Sequence, residues 1–146
     1  MKKGYLFLLL GAIPAAGWAI VSALNPSNVA ETSVDGEDAK LRTRHYRIDL
    51  PTFVAEAERI IPTLSTYGQS WRLMTSNLYE DSAQIKVEVP VVVFTDDLEI
   101  KAKVGEGKEG VSVDIHSKSR VGSSDLGENR RHILQLLKAF DEKFNQ

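Results

Sequence analysis

The polar stretch Ser117–Arg131 contains the residue types of this sequence that are best suited to chemistry. Serines, glycines, an aspartate and three arginines lie between a strand-like segment and a helical one. Free backbone N–H groups at a helix N-terminus attract anions, and arginine binds anionic oxygens as a fork. The stretch therefore predicts a site for a small anion at the helix start around Ser123–Asn129. The candidate ligand-binding residues are Arg120, Ser123, Ser124, Asp125, Asn129 and Arg130.

The same stretch also has a purely structural interpretation. Serine, aspartate and asparagine are the residues that cap helices, and Asp125 with Glu128 three residues later fits a capping box. The arginines would then form ion pairs with Asp96, Asp97 or Asp114. This interpretation is favoured, because capping by itself requires these residue types.

Asp96 and Asp97 are adjacent carboxylates, which can bind a hard cation or share a proton. Neighbouring side chains of a strand point to opposite faces, which works against a shared ligand. A turn with one buried Arg–Asp pair is therefore favoured. A weaker hypothesis is a hydrolase that uses one of these aspartates with Ser119 or His116, and it requires a base within reach of the nucleophile.

No motif of this sequence predicts a catalytic residue, a metal or a cofactor. The chain has no cysteine, which excludes disulfides, a thiolate nucleophile and cysteine metal sites. His45, His116 and His132 are scattered and make no metal pair by spacing, so solvated or hydrogen-bonded histidines are favoured. A nucleophile elbow, a phosphate loop and a dinucleotide fingerprint are absent from the sequence. A non-enzymatic protein is favoured over an enzyme.

The first 44 residues predict a targeting segment and a tether. Lys2 and Lys3 precede the uncharged apolar segment Tyr5–Leu24, which is long enough to cross a bilayer as a helix. We predict that residues 1–24 are a membrane anchor or a cleaved signal peptide, with the anchor favoured. The lysines would stay cytoplasmic, which places the remaining chain outside. Residues 25–44 contain Pro, Ser, Asn and charges with almost no large apolar residue, and they predict a linker.

Residues 45–146 have the periodicity of one α+β domain. The pattern predicts a helix from Pro51 that ends at Tyr67-Gly68, about four strands, and a helix over Leu126–Phe144. Pro90 indicates a bulge or an edge position in its strand. We expect a two-layer domain in which an antiparallel sheet of about four strands carries two helices on one face, after an N-terminal apolar helix. The expected strands lie near 71–76, 85–93, 98–104 and 111–115.

Three segments resemble the domain of unknown function 1499 family. They are Val93–Glu99, Val113–Gly122 and Ser124–Arg131, and the likeness extends over about Leu41–Phe144. The Asp-Asp pair and the pattern Ser-x-Ser-Arg-x-Gly followed by Ser-Asp-x-Gly-x-Asn-Arg have counterparts in that family. Many members carry a cysteine ahead of the first helix, where this chain has Asn28-Val29-Ala30. The resemblance implies an exported, envelope-associated domain and implies no reaction.

Charge and length complete the expectation for function. The formal net charge of −2 gives no general attraction to nucleic acid, and 146 residues leave room for one ordinary domain after the apolar segment. We expect a non-enzymatic domain on the non-cytoplasmic side (periplasm or equivalent), anchored in the membrane or secreted, that binds an envelope protein or supports assembly. The alternatives are an anion-binding module at Ser123–Asn129 and, less favoured, a hydrolase.

Overall fold

The structure, a computed structural model, describes residues 28–122 and 126–145. Strands make up 43% of it. Short 3₁₀ turns cover Ile61–Thr63 and Glu106–Lys108. The elements in chain order are β1 (Val29–Glu31), β2 (Arg44–Tyr46), α1 (Leu50–Ile60), β3 (Ser65–Thr66), β4 (Gln69–Ser70), β5 (Arg72–Leu78), β6 (Ser82–Val91), β7 (Phe94–Val104), β8 (Val111–Ser119) and α2 (Glu128–Phe144).

Six of the strands form one antiparallel sheet in the order β1-β8-β7-β6-β5. Strand β2 lies on the same side of β8 as β1, because β1 pairs with residues 116–118 of β8 and β2 pairs with residues 111–113. Strands β6, β7 and β8 form its centre, and the β6–β7 register is continuous from Ser82↔Lys103 to Val91↔Phe94. Strands β3 and β4 form a separate small hairpin.

Both helices contribute to one core with the same face of the sheet. Every second residue of β6, β7 and β8 is buried on that face, as the two-residue period of a strand requires. Phe53 of α1 and Phe140 of α2 meet edge to face, with their ring centroids 5.4 Å apart. The opposite face, here named the open face, carries charged and polar side chains. Its central members are Lys86, Glu88, Asp97, Glu99, Lys101, Asp114, His116 and Lys118.

The sheet has two distinct ends. Strands β6 and β8 finish at one end, where β1, β7 and α2 begin. Asn28 lies there, since its carbonyl accepts from the Ser119 N–H at 2.9 Å and its side-chain amide donates to the Gly122 carbonyl at 2.7 Å. This end is named the Asn28 end. The far end holds the β5–β6 turn and the loop between β7 and β8.

The prediction of a two-layer α+β domain with about four strands is wrong. The described residues are mostly β, with eight strands, of which six form the large sheet. Strands β1 to β4 are only two or three residues long, which is too short for an alternating pattern to be recognised. The expected N-terminal apolar helix lies outside the described residues.

Across residues 28–122 and 126–145, no helix has both the length and the apolar character that crossing a membrane requires.

The predicted linker, residues 25–44, is also corrected, because from Asn28 onward it is part of the folded domain. It supplies β1, and Leu41 belongs to the buried core. The hydroxyls of Thr32 and Thr43 both donate to Asp114 of β8, at 2.7 and 2.6 Å. The composition of this segment indicated a linker, because the segment is attached to β8 mainly through backbone pairing and threonine hydroxyls. Such contacts need few large apolar side chains.

Helix α1 ends at Ile60, earlier than predicted. Pro62 has no N–H to continue the helical hydrogen bonds, and a 3₁₀ turn follows instead. Tyr67 and Gly68, the predicted helix end, form the two-residue turn of the β3–β4 hairpin, both with positive φ. Pro90 lies beyond the last residue pair between β5 and β6, so β6 there has a paired neighbour on one side only.

Replacing Gly110 by alanine tests how tightly the loop between β7 and β8 approaches β2. Its φ is +64°, and an added Cβ would lie 2.4 Å from the Tyr46 carbonyl oxygen. Gly68 is the matched control, because its φ is +76° and nothing lies within 4 Å. Left-handed backbone costs a non-glycine residue about 1–2 kcal/mol, so Gly68→Ala should lose about that much. Gly110→Ala should lose more in urea unfolding, and equal losses would contradict the close approach.

Candidate functional site

Strand alternation separates the two adjacent aspartates. Both lie inside β7, not in a turn, because the β6–β7 turn is Val92–Val93. Asp96 faces the helices and is 3% exposed, whereas Asp97 lies on the open face. The predicted buried Arg–Asp pair is therefore wrong in one respect: an Arg–Asp pair exists at Asp97, but both side chains are about half exposed.

Arg120 is the centre of a charged group on the open face. Its Nε donates to Asp97 Oδ2 at 2.9 Å and its Nη2 donates to Asp97 Oδ1 at 2.7 Å. Its Nη2 also donates to Glu88, which accepts a second bond from Arg72 Nε at 3.2 Å. The strand register explains the arrangement, since Glu88 is paired with both Asp97 and Arg72. Arg72, Glu88, Asp97 and Arg120 are named the open-face ion cluster.

The charges of this cluster shift the pKa values of its own members. The Arg120 guanidinium, chiefly through its hydrogen bonds, holds the pKa of Asp97 and the pKa of Glu88 below their ordinary values. The two carboxylates in turn raise the pKa of Arg120. The cluster therefore stays ionised at neutral pH, and its guanidinium is already bound to two carboxylates.

A buried polar group lies on the other face of the sheet, around Asn129 in the first turn of α2. Asn129 is fully buried, and its Nδ2 donates to Ser119 Oγ at 2.9 Å and to the Asn28 carbonyl at 2.7 Å. Its Oδ1 accepts from the Ser117 hydroxyl at 2.5 Å. One amide therefore joins β8, α2 and the residue before β1. Asn28, Ser117, Ser119 and Asn129 are named the Asn129 cluster.

A histidine–aspartate pair lies next to this cluster, and sequence reasoning did not find it. His132 Nε2 is 2.9 Å from Asp96 Oδ2, and the histidine is 1% exposed. Glu128 Oε2 is 3.8 Å from the same nitrogen. The Trp71 ring meets the imidazole edge-on, and Trp71 Nε1 is the buried side-chain atom without a hydrogen-bond partner in the described residues. The available signal was helical spacing, because His132 precedes Leu136 by four residues on the apolar stripe of α2.

The six residues of the predicted anion site do not assemble into one site in the part of the chain that is described. Arg120 binds towards β7 and β6, whereas Arg130 Nε donates to Asp38, in the opposite direction past β1, at 2.8 Å. This bond to Arg130 lowers the pKa of Asp38. The amide of Asn129 is turned into the core. The other three predicted residues, Ser123, Ser124 and Asp125, lie outside the described residues.

The predicted capping box involves Asp125, which lies outside the described residues, but the described start of the helix differs from the prediction. Helix α2 begins at Glu128, two residues later than predicted, and its N-cap is Gly127, with φ 83°. A left-handed backbone at this position suits glycine. The candidate residues of the hydrolase hypothesis are also divided, since Asp96 and Ser119 face the helices while Asp97 and His116 lie on the open face.

The open face contains a shallow depression of about 500 Å³. His116 lies in it, paired in register with Glu31 of β1 and Glu99 of β7. Among residues 28–122 and 126–145, no group of three His, Asp or Glu residues is placed to hold a metal. The depression presents both signs of charge to solvent. Its lining residues are Glu31, Thr32, Glu99, Lys101, Asp114, Ile115 and His116.

Comparison with known proteins identifies the family but no relative of known activity. The sequence profile of the family described as "Protein of unknown function (DUF1499)" matches residues 21–140. The chain belongs to the DUF1499 family. No curated protein and no solved structure matches it. The resemblance seen in the sequence is thus confirmed, and in this DUF1499 domain Asp97 with Arg120 stabilises the open face while Asn129 joins β8 to α2.

Removing the Asn129 amide should strongly destabilise the domain. Asn129→Ala leaves the buried Ser117 and Ser119 hydroxyls without this partner, and each buried unsatisfied group costs about 1–3 kcal/mol. Asn77 of β5 is the control, because it is exposed and its replacement by alanine should change stability by less than about 0.5 kcal/mol. Chemical unfolding measures both variants. Equal stability of the two would show that the cluster does not join these elements.

Arg120→Ala should alter the acid dependence of stability. The lowered pKa values of Asp97 and Glu88 mean that pairing stabilises the fold above their ordinary values of 3.8 and 4.5 and is lost as pH falls through the lower folded values. The melting temperatures of wild type and variant should therefore differ modestly at pH 7, since exposed pairs are screened, and should converge in acid.

Arg72→Ala is the matched control for Arg120→Ala. Arg72 donates to Glu88 but not to Asp97, so this variant should raise the pKa of Glu88 alone in a carboxyl NMR titration. Arg120→Ala should raise the pKa of both carboxyls. An unchanged Asp97 titration in Arg120→Ala would contradict the assigned ion cluster.

Proposed function

We propose that this DUF1499 protein is a membrane-tethered, non-enzymatic module of the cell envelope that binds a partner protein through its open face. The observation that carries the proposal is a central sheet whose second face carries charged and polar side chains, with no helix of residues 28–122 and 126–145 packed over it. A charged surface of this kind suits the recognition of a protein, because complementary charges fix the orientation of the partner and disfavour other proteins.

The charges of the open face are arranged in rows that cross the strands. Lys86 of β6 is paired with Glu99 of β7, and Glu99 is paired with His116 of β8. In the next row, Lys101 of β7 is paired with Asp114 of β8. Glu99 accepts from Gln84 Nε2 at 3.0 Å and lies 3.4 Å from Lys101 Nζ, and Asp114 accepts from the two threonine hydroxyls described above, so both carboxylates are held in place. A partner would therefore meet a largely preformed pattern of charge.

The family-signature residues support a non-catalytic role by what they bind. The Arg120 guanidinium binds Asp97 and Glu88, and the Asn129 amide binds two serine hydroxyls and a backbone carbonyl. These bonds hold strands and helix together at the Asn28 end. Asp97, Arg120 and Asn129 of the signature are thereby accounted for by architecture, and the other charges of the open face are left as the surface for recognition.

The N-terminal sequence supports tethering on the outer side of the membrane. Lys2 and Lys3 precede the apolar segment Tyr5–Leu24, and basic residues of this kind stay cytoplasmic. The domain that follows would then face the periplasm or an equivalent compartment. The intact mass of the protein extracted from envelopes tests retention: the full-chain mass is expected, and a species that has lost the first 20 or so residues would contradict a retained anchor.

Photo-cross-linking in cells that produce the full chain tests the binding face. A photoreactive amino acid at Lys86 or Lys101, both exposed on the open face, should give the same discrete protein adduct. The probe at Lys138, exposed on α2, is the control and should not give it. Lys101→Glu should abolish the adduct formed from Lys86. Equal adducts from both faces, or none from the open face, would contradict the proposal.

A further inference from the structure

We propose that the Asn28 end of the domain lies against the lipid bilayer, with the apolar β6–β7 turn in the interfacial layer of the membrane. The proposal rests on the membrane tether proposed above and adds which surface meets the lipid. The occupant of this surface is the bilayer itself, not a further protein. Four observations support it.

The first observation is the length of chain between the apolar segment and the fold. The apolar segment ends at Leu24, and Asn28 is already bonded to Ser119 and Gly122 of the domain. The intervening residues, 25–27, allow a reach of at most about 14 Å between Leu24 and Asn28. A 20-residue linker would leave the domain free to turn, whereas this short connection keeps the Asn28 end near the membrane surface.

The second observation is a group of exposed apolar side chains at this same end. Val93 is 64% exposed, Phe94 50% and Val121 64%. Phe94 is the first residue of β7 and Val121 lies two residues beyond the end of β8, so both lie past Asp96↔Ser119, the pair that ends the β7–β8 register at this end. Strand β7 is two strand spacings from β1, about 10 Å from the point where the chain enters. Val93, Phe94 and Val121 are named the apolar tip.

The third observation is the chemistry of the β6–β7 turn. Two-residue hairpin turns favour glycine, asparagine or aspartate, yet this turn is Val92–Val93, and Val92 has φ +57°. Positive φ is costly for a β-branched residue such as Val92, which is buried, whereas Val93 beside it exposes apolar surface to water. The far-end loop, residues 105–110, consists instead of glycines and charged residues. Valine at the tip is the choice that a lipid environment would favour.

The fourth observation is that two charged groups near the tip, Arg120 and Glu128, are paired. Arg120 is bound by Asp97 and Glu88, and Glu128 is bound by Arg131 and by the Tyr67 hydroxyl. Burial, followed by Glu128, raises the pKa of Tyr67 to about 12, so its phenol stays neutral. Paired charges are less costly than single ones to bring towards a bilayer, and tyrosine is enriched at membrane interfaces.

A second exposed apolar pair provides the internal comparison. Leu78 and Tyr79 are 47% and 58% exposed at the far end, beside the β5–β6 turn. Strand β6 separates the two ends by about 30 Å, at about 3.3 Å per residue. The short connection at Asn28 cannot bring both ends to the membrane. Leu78 and Tyr79 are therefore the matched control for the apolar tip.

Site-specific fluorescence with the full chain tests the proposal, and the absence of cysteine makes each introduced thiol unique. Val93→Cys, Val121→Cys and Tyr79→Cys are each labelled with an environment-sensitive dye and reconstituted in phosphatidylcholine vesicles that contain nitroxide-labelled lipid. We expect blue-shifted emission at positions 93 and 121, with more than half of it lost to the nitroxide. Position 79 should show the emission of a dye in water and little quenching.

Flotation of the same samples separates failure of the inference from failure of the tether. If the chain floats with the vesicles but position 93 is quenched no more than position 79, the apolar tip does not meet lipid and the inference is overturned while the tether stands. Blue-shifted emission at position 93 without quenching would mean protein contact and would also overturn it. A chain that does not float contradicts the tether, and the inference falls with it.

A charged tip provides the second variant. Phe94→Glu in the Val121→Cys chain should leave flotation unchanged, because the apolar segment is intact, but should remove the quenching at position 121. Leu78→Glu in the same chain should leave that quenching as it was. Quenching that survives Phe94→Glu would overturn the role of the tip. Phe94 is half exposed, and circular dichroism verifies that the variant folds.

Discussion

The two-residue period of side chains along β7 and β8 is the constraint on which the arrangement of this domain depends. It turns Asp96 and Ser119 towards the helices and turns Asp97 and Arg120 towards solvent. Residues that are adjacent in the family signature therefore belong to two separate networks, one buried and one exposed. This geometry explains why polar residues are adjacent in the signature, because the polar side chains on each face of these strands need separate hydrogen-bond or ion-pair partners.

The buried network has a consequence for the whole Asn28 end. Asn129 joins β8 to α2 and to the carbonyl of Asn28, so the chain enters the domain at a point that is fixed by hydrogen bonds. Such groups are costly if left unpaired in a core, so these bonds favour a single point of entry. A bonded point of entry and a short connection to the apolar segment would together restrict how a tethered domain can face a membrane.

The proposed partner surface, on the open face, and the proposed membrane surface, at the apolar tip, are perpendicular surfaces of one sheet. The tip is formed by the strand ends, whereas the charged rows run across the middle of the strands. A domain that rests on its strand ends keeps the open face perpendicular to the bilayer and accessible from the side. The proposed partner surface and the proposed membrane surface are therefore compatible in one orientation.

The sequence by itself determined the family, the strand alternation near Ile85–Val91, Leu98–Val104 and Val111–Ile115, and the presence of two amphipathic helices, because side-chain periodicity and a long signature are local properties. Only the tertiary structure decided that part of the apparent linker is β1, since that segment is held by pairing with β8 rather than by apolar side chains. It also decided that Asp96 binds His132, 36 residues away, and that Arg120 and Arg130 diverge. Strand pairing and helix docking bring residues together that are distant in sequence, and a local sequence pattern does not predict which of them a polar side chain will bind.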